Sequence, residues 1–172
     1  RIADGSSNIA GLIILAGAAR PLEDLYLEQI EYQASLNGEL TPEVKSKIEE
    51  IKRTVASIKA LSKESNNDGM FFNTPASYWL DLKGYNPAES AKKLKQPMFI
   101  LQGENDCQVK MEDFNIWRDT LSSRTDVILK SYPSLNHLFI KVPVKSTGAE
   151  YKQANNVSKT VISDIALWIK KQ

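Results

Sequence analysis

Lys95-Gln96-Pro97-Met98-Phe99-Ile100-Leu101-Gln102-Gly103-Glu104-Asn105-Asp106 passes through an apolar run into a polar, glycine-containing turn. Unbroken runs of this kind suit strands covered on both faces, as in a parallel sheet. Upstream, Ile9 to Gly17 (Ile-Ala-Gly-Leu-Ile-Ile-Leu-Ala-Gly) has the same character. Downstream, Val127-Ile128-Leu129 reads as a third strand. Helices are predicted over Pro87 to Leu94, about Met111 to Leu121, and Val157 to Lys170. In the last of these Val157, Val161, Ile165 and Trp168 mark a buried face. Alternating strands and helices predict an α/β fold with a parallel sheet and right-handed crossovers.

Three parallel strands form a poor free-standing sheet. Ile9 to Gly17 would leave a long apolar edge unpaired, which soluble proteins avoid. The expectation is therefore the C-terminal part of a larger sheet, split as residues 1–19 and 86–172 around an inserted segment, 20–85. That segment is helical in pattern. Pro21 opens a helix carrying Leu22, Leu25, Tyr26, Ile30 and Ala34 and stopping near Asn37-Gly38. Thr41-Pro42 then reads as an N-cap followed by the first helical position. Val44, Ile48, Ile51, Val55, Ile58 and Leu61 form one stripe of this second helix, which is expected to run to Glu64 and end at Ser65-Asn66-Asn67-Asp68-Gly69. The four–three spacing allows a dimerising coiled-coil seam, although an amphipathic cap helix is the simpler reading. An aromatic-rich connection with Phe71, Phe72, Tyr78, Trp79 and Tyr85 completes the insertion.

The chain has 172 residues, 42% of them hydrophobic and 25% charged, which suits one ordinary globular core. A net charge of +1 provides no basic field for nucleic acid or an anionic membrane. No apolar run is long enough to span a bilayer. The single cysteine, Cys107, excludes an internal disulfide and leaves the compartment open. Asn156-Val157-Ser158 matches a glycosylation sequon, a pattern short enough to arise by chance.

Functional groups of open α/β sheets gather beyond the carboxyl ends of the strands. Asp106 falls there, and so does His137, the chain's one histidine, at the end of Ser131-Tyr132-Pro133-Ser134-Leu135-Asn136. An acid and then a base on neighbouring strand ends make up two members of a hydrolase triad. The acid would fix the imidazole tautomer and stabilise the imidazolium formed when His137 takes a proton. Each residue also has a plainer reading: Asp106 as a turn former, His137 as an ordinary packed histidine. No G-x-S-x-G occurs in the sequence. Ser134 and Ser77 lack the strand-to-helix setting of a nucleophile elbow. Arg20 follows a strand end and reads either as a cap-anchoring or substrate-facing cation, paired with Glu23 or Asp24, or as a surface ion pair. Phe71, Phe72, Tyr78 and Trp79 read as lining an acyl pocket under the cap or as plain packing. Cys107 has nothing nearby to lower its pKa and reads as structural.

Gly103-Glu104-Asn105-Asp106-Cys107-Gln108-Val109 and Ser134-Leu135-Asn136-His137-Leu138-Phe139 resemble the acid and histidine loops of α/β-hydrolase fold enzymes. Arg20-Pro21-Leu22-Glu23-Asp24-Leu25, after Leu-Ala-Gly, resembles a branch of bacterial carboxylesterases related to the dienelactone hydrolase and serine aminopeptidase groups. The resemblance covers essentially the whole chain. It implies the C-terminal half of a hydrolase sheet with a helical cap, an ester substrate and no cofactor or metal. It also implies a nucleophile elbow upstream of Arg1, in an N-terminal half whose absence would leave this chain inactive alone. Peptidase or thioesterase activity fits the same scheme, as does an Asp-nucleophile dehalogenase or epoxide hydrolase. A reading of another class is a non-catalytic module that dimerises through its long helix or its exposed sheet edge. Neither the substrate nor the localisation follows from these residues.

Overall fold

The computed structural model describes residues 3, 8–36, 38–64 and 68–172. The expected helix stop at Asn37 and the loop residues Ser65, Asn66 and Asn67 lie outside the described residues. The chain divides into two compact units, Arg1–Ala19 with Pro87–Gln172, and Arg20–Asn86.

The first unit is built on three parallel strands, β1 (Leu12–Leu15), β4 (Met98–Gly103) and β5 (Val127–Tyr132), in the order β1-β4-β5. Leu12 pairs with Met98 and Met98 with Val127, so the strands are in step at their amino ends. β4 and β5 continue past the predicted Leu101 and Leu129, to Gly103 and Tyr132. Every residue of the central strand β4 is buried. Its side chains alternate between the two faces, as strand geometry requires. Met98 and Ile100 meet Ala88, Ala91, Phe114, Trp117 and Leu121, which belong to α4 (Pro87–Lys92) and α5 (Met111–Thr120) or follow it. Phe99 and Leu101 meet Tyr132, Phe139, Val161 and Trp168 on the other face. Each such burial stabilises the fold by roughly 1.5–3 kcal/mol.

Of the Ile9–Gly17 run only four residues form strand. Ala16, at φ 48°, turns the chain out of the extended region, and β1 is the edge of the described sheet. The last helix, α6 (Lys159–Ile169), starts later than its apolar pattern suggested. Val157 lies outside it and is exposed, which corrects its place on the buried face; Val161 and Trp168 are buried.

The second unit holds α1 (Leu22–Ser35), α2 (Pro42–Ala60), a two-stranded hairpin β2 (Met70–Phe71) and β3 (Thr74–Pro75), and α3 (Ala76–Leu82). Thr41 caps α2, its hydroxyl accepting from the Val44 amide at 3.3 Å, with Pro42 in the first turn. Ile48, Ile51, Val55 and Ile58 form the buried stripe, whereas Val44 is exposed. α2 ends at Ala60 instead of Glu64, because Leu61 turns to an extended backbone while its side chain stays in the apolar cluster. Lys83 closes that end, its ammonium donating to the carbonyls of Lys59 and Leu61. The aromatic connection is more ordered than the sequence suggested. Phe72 and Asn73, both at positive φ, form the hairpin turn, and α3 follows directly.

Candidate active site

The acid turn begins where β4 ends. Glu104 N donates to Tyr132 O at 3.0 Å and Asn105 N to Leu135 O at 2.9 Å. These bonds draw the turn against the loop that leaves β5. Gly103 permits the approach: a Cβ there would stand 2.5 Å from the carbonyl oxygens of both Leu135 and Asn136. No side chain fits, so glycine is required by packing.

Asp106 is wholly enclosed and accepts four hydrogen bonds. Oδ1 takes the backbone N–H groups of Gln108 at 2.7 Å and Val109 at 3.0 Å. Oδ2 takes the Gln102 side-chain amide at 3.1 Å and His137 Nδ1 at 2.8 Å. Burying a carboxylate is costly unless its lone pairs are satisfied, and here they are. Cys107, next in sequence, points into the protein toward Ser146 Oγ at 3.6 Å. Burial raises the pKa of its thiol, with Asp106 and Glu150 adding to the effect, so it is not a poised nucleophile.

The histidine loop is closed around Asn136, which is fully buried. Asn136 Oδ1 accepts from Leu138 N at 3.1 Å and Ile140 N at 3.0 Å, and Asn136 N donates to Ile140 O at 3.0 Å. Ser134 and Phe139, at φ 63° and 55°, bend the loop at its two ends, and Val142 N returns to Ser134 O at 2.7 Å. Asn136 Nδ2 donates to Glu150 Oε1 at 2.9 Å, and the Ser146 hydroxyl donates to the same oxygen. Burial works to raise the Glu150 pKa, but the bonds from Ser146 and Asn136 outweigh it and leave the carboxyl below its usual range. His137 is thus carried on a braced loop with its side chain 26% exposed. Nδ1 is engaged by Asp106, and among the described residues Nε2 has no hydrogen-bond partner. Where Nδ1 carries the ring proton, Nε2 is left as a proton acceptor.

The remaining sequence candidates belong to the second unit. Arg20 bonds Glu28 at 2.8 Å, and Asp24 pairs with Lys59 at 2.5 Å. Phe72 stacks at a tilt on Tyr26, with centroids 4.2 Å apart, and meets the edge of Trp79 at 6.0 Å. Trp79 is buried and donates its indole N–H to Phe71 O at 3.2 Å. These aromatics are therefore packed against one another. Phe71 and Phe72 also border a cavity of about 700 Å³, with Ile51, Arg53 and Met70. Ser134 sits in the histidine loop, away from any strand-to-helix turn. Sequence reading missed Gln102, Asn136, Ser146 and Glu150. A glutamine closing an otherwise apolar buried strand was the available signal for the first.

No family model matches the chain. It is similar to Esterase EstD of Thermotoga maritima, with 36% identity over 165 residues, covering 96% of this chain and 38% of that protein. The similarity to a bacterial esterase along nearly the whole chain accords with the resemblance carried by the acid and histidine loops. The chain spans about two-fifths of the length of this curated relative.

Proposed function

We propose that this chain carries the acid and the base of an ester hydrolase that works through a Ser-His-Asp triad. The carrying observation is the 2.8 Å bond between His137 Nδ1 and Asp106 Oδ2, made to a carboxylate that is enclosed and otherwise satisfied. Asp106 cannot turn away from the ring without abandoning three other donors. His137 is therefore held in the tautomer that leaves Nε2 unprotonated.

In this scheme Nε2 takes the proton of a serine hydroxyl as its oxygen attacks the ester carbonyl. The imidazolium, stabilised by Asp106, then protonates the departing alcohol, leaving an acyl-enzyme. Water attacks the acyl group with His137 again as base, and the acid is released. No metal or organic cofactor enters these steps. The sequence holds no G-x-S-x-G, so we place the serine and the oxyanion donors in sequence outside this stretch, as the greater length of the esterase relative allows. The hydrolase fold would then be completed by that sequence, next to β1. We assign the unit Arg20–Asn86 the part of a substrate-selecting cap, with Arg20, Phe71, Phe72 and Trp79 shaping it.

A fluorophosphonate probe tests the scheme in the protein that contains this chain. Mass spectrometry should find one labelled serine, outside these 172 residues, with p-nitrophenyl ester hydrolysis lost in proportion to labelling. Full hydrolysis with no labelled serine would exclude the serine triad and favour an aspartate nucleophile. No hydrolysis of any ester would favour a non-catalytic module.

A further inference from the structure

Gln102 is 1% exposed, the one polar side chain in the strand Met98–Gly103. Its position on the strand places the amide between the acid turn and the sheet. Nε2 lies 3.1 Å from Asp106 Oδ2, 2.9 Å from Val109 O and 3.0 Å from Gly103 O. Three acceptors around one nitrogen fix the orientation of the amide, since the carbonyl end could make none of these bonds. The two amide protons are shared among oxygens that belong to the same turn. That turn also supplies the Val109 N–H to Asp106 Oδ1. Gln102 therefore ties together both ends of the segment that carries the acid.

The oxygen that Gln102 reaches is the one that accepts His137 Nδ1. A second donor on Oδ2 neutralises part of the carboxylate charge, leaving less to stabilise the imidazolium. It also holds Oδ2 where the ring meets it. We propose that Gln102 is a positioning residue, holding Asp106 in place and moderating the basicity of His137. Its part in catalysis rests on the esterase reading given above; its effect on the imidazole does not. Among the described residues, Cys107 and Tyr151 both feel the Asp106 charge, and Glu150 acts on Cys107. None of them is changed by a substitution at position 102.

In the protein that carries this chain, the His137 ring resonances are identified by their loss in His137→Ala. In Gln102→Met, which keeps length and removes the donor, the His137 ring resonances should titrate at higher pH than in the parent, because Asp106 Oδ2 then has the ring as its one side-chain donor. A midpoint unchanged in a folded Gln102→Met protein would overturn the proposal and reduce Gln102 to a space-filling residue. The unsubstituted protein offers a second reading that needs no variant. The Gln102 side-chain amide protons should shift with pH at the His137 midpoint, whereas a flat response there would also overturn it. In the ester-hydrolysing protein the same variant should lower kcat about tenfold, leave KM unchanged and move the limb of kcat/KM with the NMR midpoint. A moved midpoint together with full hydrolysis in His137→Ala would sink the triad roles given to His137 and Asp106 and leave the positioning effect standing.

Discussion

His137 Nδ1 lies 2.8 Å from Asp106 Oδ2, and the two partners are held very unequally. The carboxylate takes three further N–H donors, while the ring has no other hydrogen bond among the described residues. The acid is the fixed member, and the base is oriented by it. Asp106→Asn separates these roles. Asparagine keeps an acceptor for the Gln108 and Val109 amides, so the turn should survive. Its NH2 group would then face two donors, Gln102 and His137, and the ring would have to change tautomer. Ester hydrolysis by the protein carrying this chain should fall by about four orders of magnitude, while the mispaired buried amide should cost about 1–3 kcal/mol of stability. Steady-state kinetics beside a thermal melt measure both quantities.

Gly103 determines whether the two loops can meet. A methyl group there would overlap two backbone oxygens that have no rotamer to escape into. Gly103→Ala should therefore destabilise the chain by about 2–3 kcal/mol, read as a shifted urea midpoint. Activity should fall beyond the loss of folded protein, because separating the loops stretches the His137–Asp106 bond.

Glu150 braces the histidine loop through Asn136 and Ser146. Its folded-state pKa lies below its ordinary value of 4.5. Its contribution to stability is thus complete above that value and fades as pH falls through the lower, folded one. Glu150→Gln should be less stable than the parent near neutrality and should lose less stability than the parent on acidification. Urea midpoints from about pH 7 to pH 3 would show the two curves converging. Parallel curves would remove Glu150 from the brace.

Arg124 holds the approach to the central strand. Its guanidinium donates to the carbonyls of Ala91 and Leu94 at 2.9 and 2.7 Å and of Gln96 at 2.9 Å, and it also pairs with Asp126. These acceptors end α4 and enter β4. Arg124→Ala should cost about 2–3 kcal/mol by removing the donor from the Leu94 and Gln96 carbonyls; the Ala91 carbonyl keeps the Leu94 N–H. Arg124→Lys should recover little, since an ammonium cannot span three carbonyls in one plane. Equal stability of the lysine variant and the parent would show that charge alone is what counts.

The sheet was legible because β4 is apolar from Met98 to Leu101 and its neighbours alternate with helices. Asp106 and His137 were legible because both follow such runs. What supports them was not. Asn136 and Glu150 act through a turn that closes on itself, and no spacing announces a contact between positions 136, 146 and 150. Phe72 hid the hairpin, since an aromatic residue at φ 50° carries no turn signal. Leu61 misled for the opposite reason: it stays buried after the helix ends, so apolar periodicity ran past the last helical bond. Val157 extended the last helix at its start because it fits the apolar spacing, although its side chain is exposed.

The pairing of His137 with Asp106 as the base and acid of ester hydrolysis is tested most directly by His137→Ala in the protein that carries this chain. With p-nitrophenyl acetate as substrate, kcat should fall by about four orders of magnitude or more while the folded chain is retained. An unchanged kcat in a folded His137→Ala protein would contradict the account.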